Sequence, residues 1–222
     1  MSIISKVLKI NLRSIFLNFY LLPFSQAIHL PILIVRNVKI DSLHRGGVQI
    51  NTSKLKIGLI QIGYRAVGII DNRYERSILQ LSKSGKILFS GRCFLGSGIR
   101  MVITGNCEIG NNVNVSGNTS ICCYEKVKIG HESLISWDCL IMDTDFHKIY
   151  DEQKNQINSN KAIKIGNHVW IGARTTVLKG SIISDNSVIA ANSICSGVLC
   201  EKNCIYGGNP ARILKQNISW EI

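Results

Sequence analysis

Apolar residues recur six apart without a break along the C-terminal part of the chain, at Ile165, Ile171, Val177, Ile183, Ile189 and Cys195. Small or β-branched residues take the fourth place after them, at Val169, Thr175, Ser181, Ser187 and Ser193. Upstream the same beat runs through Phe89 and Leu95, steps eight residues to Ile103, and continues through Ile109, Val115 and Ile121. A second eight-residue step leads to Ile129, Ile135 and Ile141, again with compact fourth places such as Cys93, Cys107, Val113, Thr119, Ser133 and Cys139. A helix needs apolar spacings of three and four and a half-buried strand needs alternation, so a strict six fits neither. The repeat predicts an all-β fold in which three short strands make one triangular coil. One aliphatic per hexad points inward, and coils stack in parallel roughly 4.8 Å apart. Gly110, Gly130, Gly166 and Gly172 follow inward aliphatics, and Asn112, Asn186 and Asn192 fall at corners, where tight turns favour those residues. About five coils follow for residues 89–206.

The remainder of the chain follows other patterns. Residues 41–88 alternate (Leu55, Ile57, Leu59, Ile62; Ile87, Phe89) between turn signals at Asp71-Asn72 and Ser84-Gly85, and read as strands leading into the first coil. Residues 1–40 read as a helical, apolar cap and 207–222 as a tail. The apolar stretch Ile15 to Val35 has the length of a membrane span, but Pro23, Pro31, Asn18, Ser25, Gln26 and His29 interrupt it, so one or two short helices are expected. Lys6, Lys9 and Arg13 before it and Arg36 and Lys39 after it suit peripheral contact with an anionic membrane. Packing against the main domain or a neighbouring subunit is the competing reading.

The beat fails once. Steps of six from Ile141 call for aliphatics at positions that hold His147, Gln153 and Ser159. The polar segment 148–161 therefore reads as an excursion loop, with His147 at its mouth behind Asp143-Thr144-Asp145-Phe146. Loops on a rigid scaffold commonly carry function. A carboxylate beside a histidine fixes its tautomer and stabilises the imidazolium, which suits a general base. Asp145 falls on an inward place, where it either orients His147 or ties down the loop. A surface histidine with a structural aspartate fits the spacing equally.

Composition narrows the partners. Apolar residues make up 45% of the 222 and charged residues 18%, which excludes a disordered chain. Twenty-six basic against 14 acidic residues give +12, a field that favours anionic partners. There is no compact basic block with interleaved aromatics, so nucleic acid is not expected. Eight cysteines without a C-x-x-C pair or signal peptide suit a reduced, cytoplasmic setting. Those on inward places read as small hydrophobes.

Four stretches together resemble the hexapeptide-repeat acyltransferases of the left-handed β-helix class, in the branch of maltose and galactoside O-acetyltransferases and their polysaccharide-modifying relatives. They are residues 134–147, Ile165-Gly-Asn-His-Val-Trp-Ile-Gly-Ala173, the run to Ala191, and Gly208-Asn-Pro-Ala-Arg212. The resemblance spans roughly residues 89 to 215. It implies a homotrimer, acetyl-CoA as cosubstrate in the groove between adjacent prisms, no metal, and transfer to a sugar hydroxyl in surface polysaccharide assembly.

Carried over by position, His147 is the base. The Ala173 N–H stabilises the oxyanion, Trp170 lines the site, the Ala191 backbone meets the pantetheine arm, and Arg212 and Lys215 meet CoA phosphates. Trp170 also suits a subunit contact, and the two basic residues suit an ordinary basic terminus. Ser196-Gly197 stands where the family commonly has Thr-Lys, so Ser196 keeps the cofactor place without the lysine; Lys179 or Lys202 is a candidate substitute. Asp143, Trp137 and Asn118 are expected at the acceptor, though packing and corner roles also fit the last two. An N-acyltransferase of nucleotide-linked sugars is the nearest alternative. A γ-type zinc carbonic anhydrase is a remote alternative, since it needs three converging histidines and, of His131, His147 and His168 in the repeats, no pair stands five apart as that family's site requires. A non-catalytic trimeric scaffold is the third.

Overall fold

Alternation of buried and outward positions within each short strand closes the chain into a prism. The computed structural model describes residues 7–64, 67–71 and 74–221; Lys6 and Asn72, used above, lie outside them. Every hexad aliphatic named from Phe89 to Cys195 is buried, as are the compact fourth places. Strands β1 (Ile32–Ile34), β2 (Lys39–Ser42) and β3 (Val48–Ile50) each start one face, and twenty more follow to β23 (Arg212–Lys215). Every third strand joins the same sheet, giving two parallel seven-stranded sheets begun by β2 and β3 and a nine-stranded sheet begun by β1. This is a left-handed parallel β-helix of seven complete coils.

The stack thus begins at Ile32 rather than Phe89, and the strands read as a lead-in are coils of the prism itself. The six-residue beat misses them because those turns are long. Paired positions Ile32, Ile60 and Cys93 are 28 and 33 residues apart, against 20 from Cys93 to Val113 and 18 from Trp170 to Val188. Leu55 and Ile57 lie in the connection before β4 (Ile60–Tyr64) and not in a strand. The eight-residue steps have a cause too: β8 (Arg100–Ile103) and β11 (Ser120–Cys123) each bury two residues on one face.

The N-terminal helices cap the first coil. Helix α1 (Leu12–Leu21), N-capped by Asn11 accepting from the Ser14 N–H at 3.0 Å, lies across the open edge of the first coil. Asn18 exchanges two bonds with Ile32 (2.7 and 3.0 Å), and Ser14 Oγ accepts from the Ile34 N–H. Tyr20 reaches the Leu43 carbonyl, and Gln26, on helix α2 (Phe24–Ala27), the Ile50 carbonyl. Helix α1 and the residue after it contribute Leu17, Leu21 and Leu22 to the core. Edge groups that would template another strand are satisfied inside the chain. At the far end β23 turns back antiparallel on β22 (Ile205–Gly207).

Candidate active site

Three columns of turns separate the faces. The corner between the nine-stranded sheet and the β2 sheet stacks Gly117, Trp137, Ala173 and Ala191, each carbonyl but the last accepting from the next coil (Asp138 N 3.1 Å, Arg174 N 3.0 Å, Asn192 N 2.9 Å). We call it the Trp137 corner. The loop corner lies between the β2 and β3 sheets, and the His131 corner between the β3 and nine-stranded sheets.

The chain leaves the loop corner after β14 (Leu140–Met142) and rejoins at β15 (Ile163–Ile165), a longer excursion than 148–161. Asp143 sets the point of departure. It follows Met142, which pairs with Cys122, so it stacks in the inward place above Cys123. Its carboxylate accepts from the N–H groups of Tyr124 (2.7 Å), Glu125 (2.8 Å) and Lys126 (2.8 Å), and it is fully buried. With both oxygens engaged by backbone, Asp143 is a turn plug. The spacing Ile103, Cys123, Asp143 is the sequence signal for this role.

Because the phase ends at Asp143, Asp145 is already in the loop and exposed, not inward. Its carboxylate bonds Lys179 Nζ at 2.5 Å and Asn158 Nδ2 at 2.9 Å, and these two donors, Lys179 first, hold it below the usual carboxylate range. Of the two roles open to Asp145, it performs loop anchoring; its carboxylate does not contact the imidazole. Lys179 also donates to the Asn158 and Ser159 carbonyls (3.0 and 3.2 Å), so it braces the loop and is not free for a CoA phosphate. Lys202 pairs with Asp185 at 3.7 Å. Neither Asn158 nor Lys179 was marked by the sequence as a brace for the loop, since neither occupies an inward repeat position.

His147 is exposed at the mouth of the loop. Its carbonyl accepts from Asn158 Nδ2 (2.8 Å) and its N–H donates to the Asp145 carbonyl (2.7 Å), which fixes the backbone. Among the described residues the ring itself has no hydrogen-bond partner, so both nitrogens remain available. The ring lines an open cleft of about 390 Å³ with Tyr124, Phe146, Lys148, Gln156 and Asn160. Tyr124 and Phe146 meet edge to face at 5.3 Å and form its apolar wall.

The other expected residues divide between two corners. Ser196, exposed between β20 (Ile194–Cys195) and β21 (Val198–Leu199), shares the loop corner with His147. Asn118, Trp137, Ala173 and Ala191 share the Trp137 corner, and Trp170 stands next to it on the nine-stranded face, Nε1 donating to Ser136 Oγ (3.2 Å). Arg212 and Lys215 are exposed on β23; the turn before it sits on the β2 sheet, Ala211 N donating to the Ile194 carbonyl (2.8 Å). A whole sheet face separates the two sets in one chain. His131 and His168 cap the third corner: His131 Nδ1 accepts from the Asn111 N–H (2.9 Å) and His168 stacks on Trp220 at 4.2 Å.

The inward cysteines are hydrophobes, as their places require. Burial pushes the thiols of Cys139 to about 11 and Cys195 to about 12, where the nucleophilic thiolate is scarce.

Comparison with known proteins agrees with this fold. Residues 162–197 match the family model of bacterial transferase hexapeptide repeats. The chain is 32% identical over 162 residues to a Klebsiella pneumoniae protein described as an uncharacterized 24.8 kDa protein in the cps region, covering 72% of this chain and 70% of that one. It is 31% identical over 170 residues to the putative lipopolysaccharide biosynthesis O-acetyl transferase WbbJ of Escherichia coli K12, covering 71% and 83%. Among solved structures, the polySia-specific acetyltransferase NeuO aligns with a TM-score of 0.60 at 27% identity, over 66% of this chain and just 63% of that one. The inward hexads, the three-sided stack and these relatives agree that the chain belongs to the bacterial hexapeptide-repeat transferase family.

Proposed function

We propose that the chain is an O-acetyltransferase that moves an acetyl group from acetyl-CoA to a sugar hydroxyl of a surface polysaccharide or its lipid-linked precursor. The relatives named as O-acetyltransferases support the reaction class and the glycan acceptor. The observation that carries the mechanism is His147: an exposed imidazole with no intramolecular partner among the described residues, in an open cleft, on a loop held by the Asp145, Lys179 and Asn158 contacts.

The division of site residues between two corners supports a homotrimer whose active sites lie between chains. The loop corner of one protomer supplies His147 and Ser196, and the Trp137 corner of the next supplies Ala173, Ala191 and Trp170. Ala173 and Ala191 stand on successive coils about 4.8 Å apart, so their backbone can follow an extended thiol arm along the corner toward Arg212 and Lys215. His147 takes the proton of the acceptor hydroxyl as its oxygen bonds to the thioester carbonyl carbon. The Ala173 N–H, which has no acceptor among the described residues, receives the developing oxyanion. Collapse breaks the C–S bond, and the proton on His147 passes to the departing CoA sulfur.

Transfer from acetyl-CoA to capsular and lipopolysaccharide glycans tests this directly. His147→Ala should lower the rate by about two to four orders of magnitude with acetyl-CoA binding retained. Undiminished transfer removes His147 from the mechanism, and faster acylation of amino sugars overturns the choice of a hydroxyl acceptor.

A further inference from the structure

We infer that the N-terminal end of the prism is a docking surface for an anionic lipid bilayer. This stands apart from the acetyl-transfer reading and rests on how helix α1 meets the stack. Its inner side, with Ser14, Leu17, Asn18 and Leu21, is consumed in closing the first coil. At about 100° per residue, Leu12, Ile15, Phe16 and Phe19 fall within a single arc on the opposite side, and Leu8 continues it. All five are exposed, Leu12 by 84% and Phe16 by 67%. Phe24 and Ile28 of the following segment are exposed too, and ring contacts join the pieces: Phe16 with Tyr20 at 5.7 Å, Phe19 with Phe24 at 6.0 Å. An apolar stripe this wide on a helix that is already anchored from beneath has the form of an interfacial helix.

Charge identifies the occupant. Residues 1–100 hold 15 of the 26 basic residues and only three of the 14 acids, so the whole excess of +12 lies in this part of the chain; the remaining 122 residues balance 11 against 11. Three of these basic groups stand beside the stripe and its neighbours. Arg13 donates to the Arg36 and Val38 carbonyls, Lys9 lies 4.3 Å over the Tyr64 ring, and Arg45 lies 5.8 Å from the Tyr20 ring. Two such ends brought face to face would oppose like charges, and lateral packing of prisms leaves the end uncovered, so a second copy is disfavoured. A surface of lipid phosphates satisfies both the basic groups and the apolar stripe. Among the described residues no helix is long and apolar enough to cross a membrane.

The test is cosedimentation of the full chain with phosphatidylglycerol-rich and with pure phosphatidylcholine vesicles. Binding to the anionic vesicles is expected, weakening with added salt. The double variant Phe16→Ser, Phe19→Ser should bind at least about tenfold more weakly, since each phenylalanine contributes one apolar anchor. Arg45→Gln should cost about fivefold on anionic vesicles. These side chains project from the surface, so circular dichroism and transfer to a soluble acceptor should be unchanged. Equal or absent binding to both vesicle types, or unaltered binding by the double variant, overturns the inference. So does a change in the double variant's particle size, which would make this end a contact between copies.

Discussion

Replacing Asp143 with asparagine should unfold the chain more easily without altering its use of the acceptor. The carboxylate receives three backbone N–H groups at 2.7 to 2.8 Å, one on Oδ1 and two on Oδ2. Asparagine can turn its oxygen to either side, but its NH2 group then faces at least one of the N–H groups that the carboxylate satisfied. Hydrogen bonds to charged groups contribute about 1.5 to 3 kcal/mol each, and stranded donors are costly to leave unpaired. The turn is part-buried, so water recovers some of this, and a loss of roughly 2 to 3 kcal/mol is expected. In a chain of this length that corresponds to a fall in Tm of about 5 to 10 °C. Asp143→Ala, which removes the acceptor of all three bonds, should lose roughly 3 to 5 kcal/mol. The assay is calorimetry beside steady-state kinetics at a temperature where both variants are folded. An unchanged Tm with a raised KM for the glycan would refute the reasoning and return Asp143 to the acceptor site.

The other expectations concern the loop, the thiols and the cofactor end. Asp145→Asn should increase hydrogen exchange in residues 149–158. The wild-type loop should loosen only in acid, because a carboxylate depressed by Lys179 and Asn158 contributes above its unfolded pKa and loses that contribution as pH falls through its lower folded value; loosening between pH 6 and 8 would contradict this. At pH 8 iodoacetamide should label exposed Cys200 in the native protein, while Cys139 and Cys195 react only after denaturation. Arg212→Ala should weaken CoA binding roughly tenfold if it holds a phosphate, and an unchanged Kd would remove that role.

The legible and illegible parts of the fold differ for physical reasons. A hexad is visible where each face is one short strand, as from Ile165 to Cys195, and invisible where long connections intervene, as between Ile32 and Cys93. Asn112, Asn186 and Asn192 announce corners because asparagine tolerates a left-handed backbone, and their φ values are 56 to 60°. Glu132 and Arg174 take the same conformation, at 57 and 59°, without belonging to a type that advertises it. His147 was legible as the residue that breaks the beat. Asp143 and Asp145 exchanged burial because counting by six ignores the second inward place of an eight-residue step. The division between corners was not legible at all: Ala191 and Ser196 are five residues apart in sequence, yet belong to different edges of the prism.

A site shared between chains can be tested by mixing two inactive variants. His147→Ala spoils the loop corner, and Ala173→Trp blocks the Trp137 corner while leaving His147 intact. Refolded or coexpressed in equal amounts, random trimers should recover about a quarter of wild-type acetyl transfer, since half the loop corners and half the facing corners are sound. Recovery near that level is the predicted result. Mixed trimers as inactive as either parent, with assembly confirmed, would mean that both corners must come from one chain and would contradict an active site built between protomers.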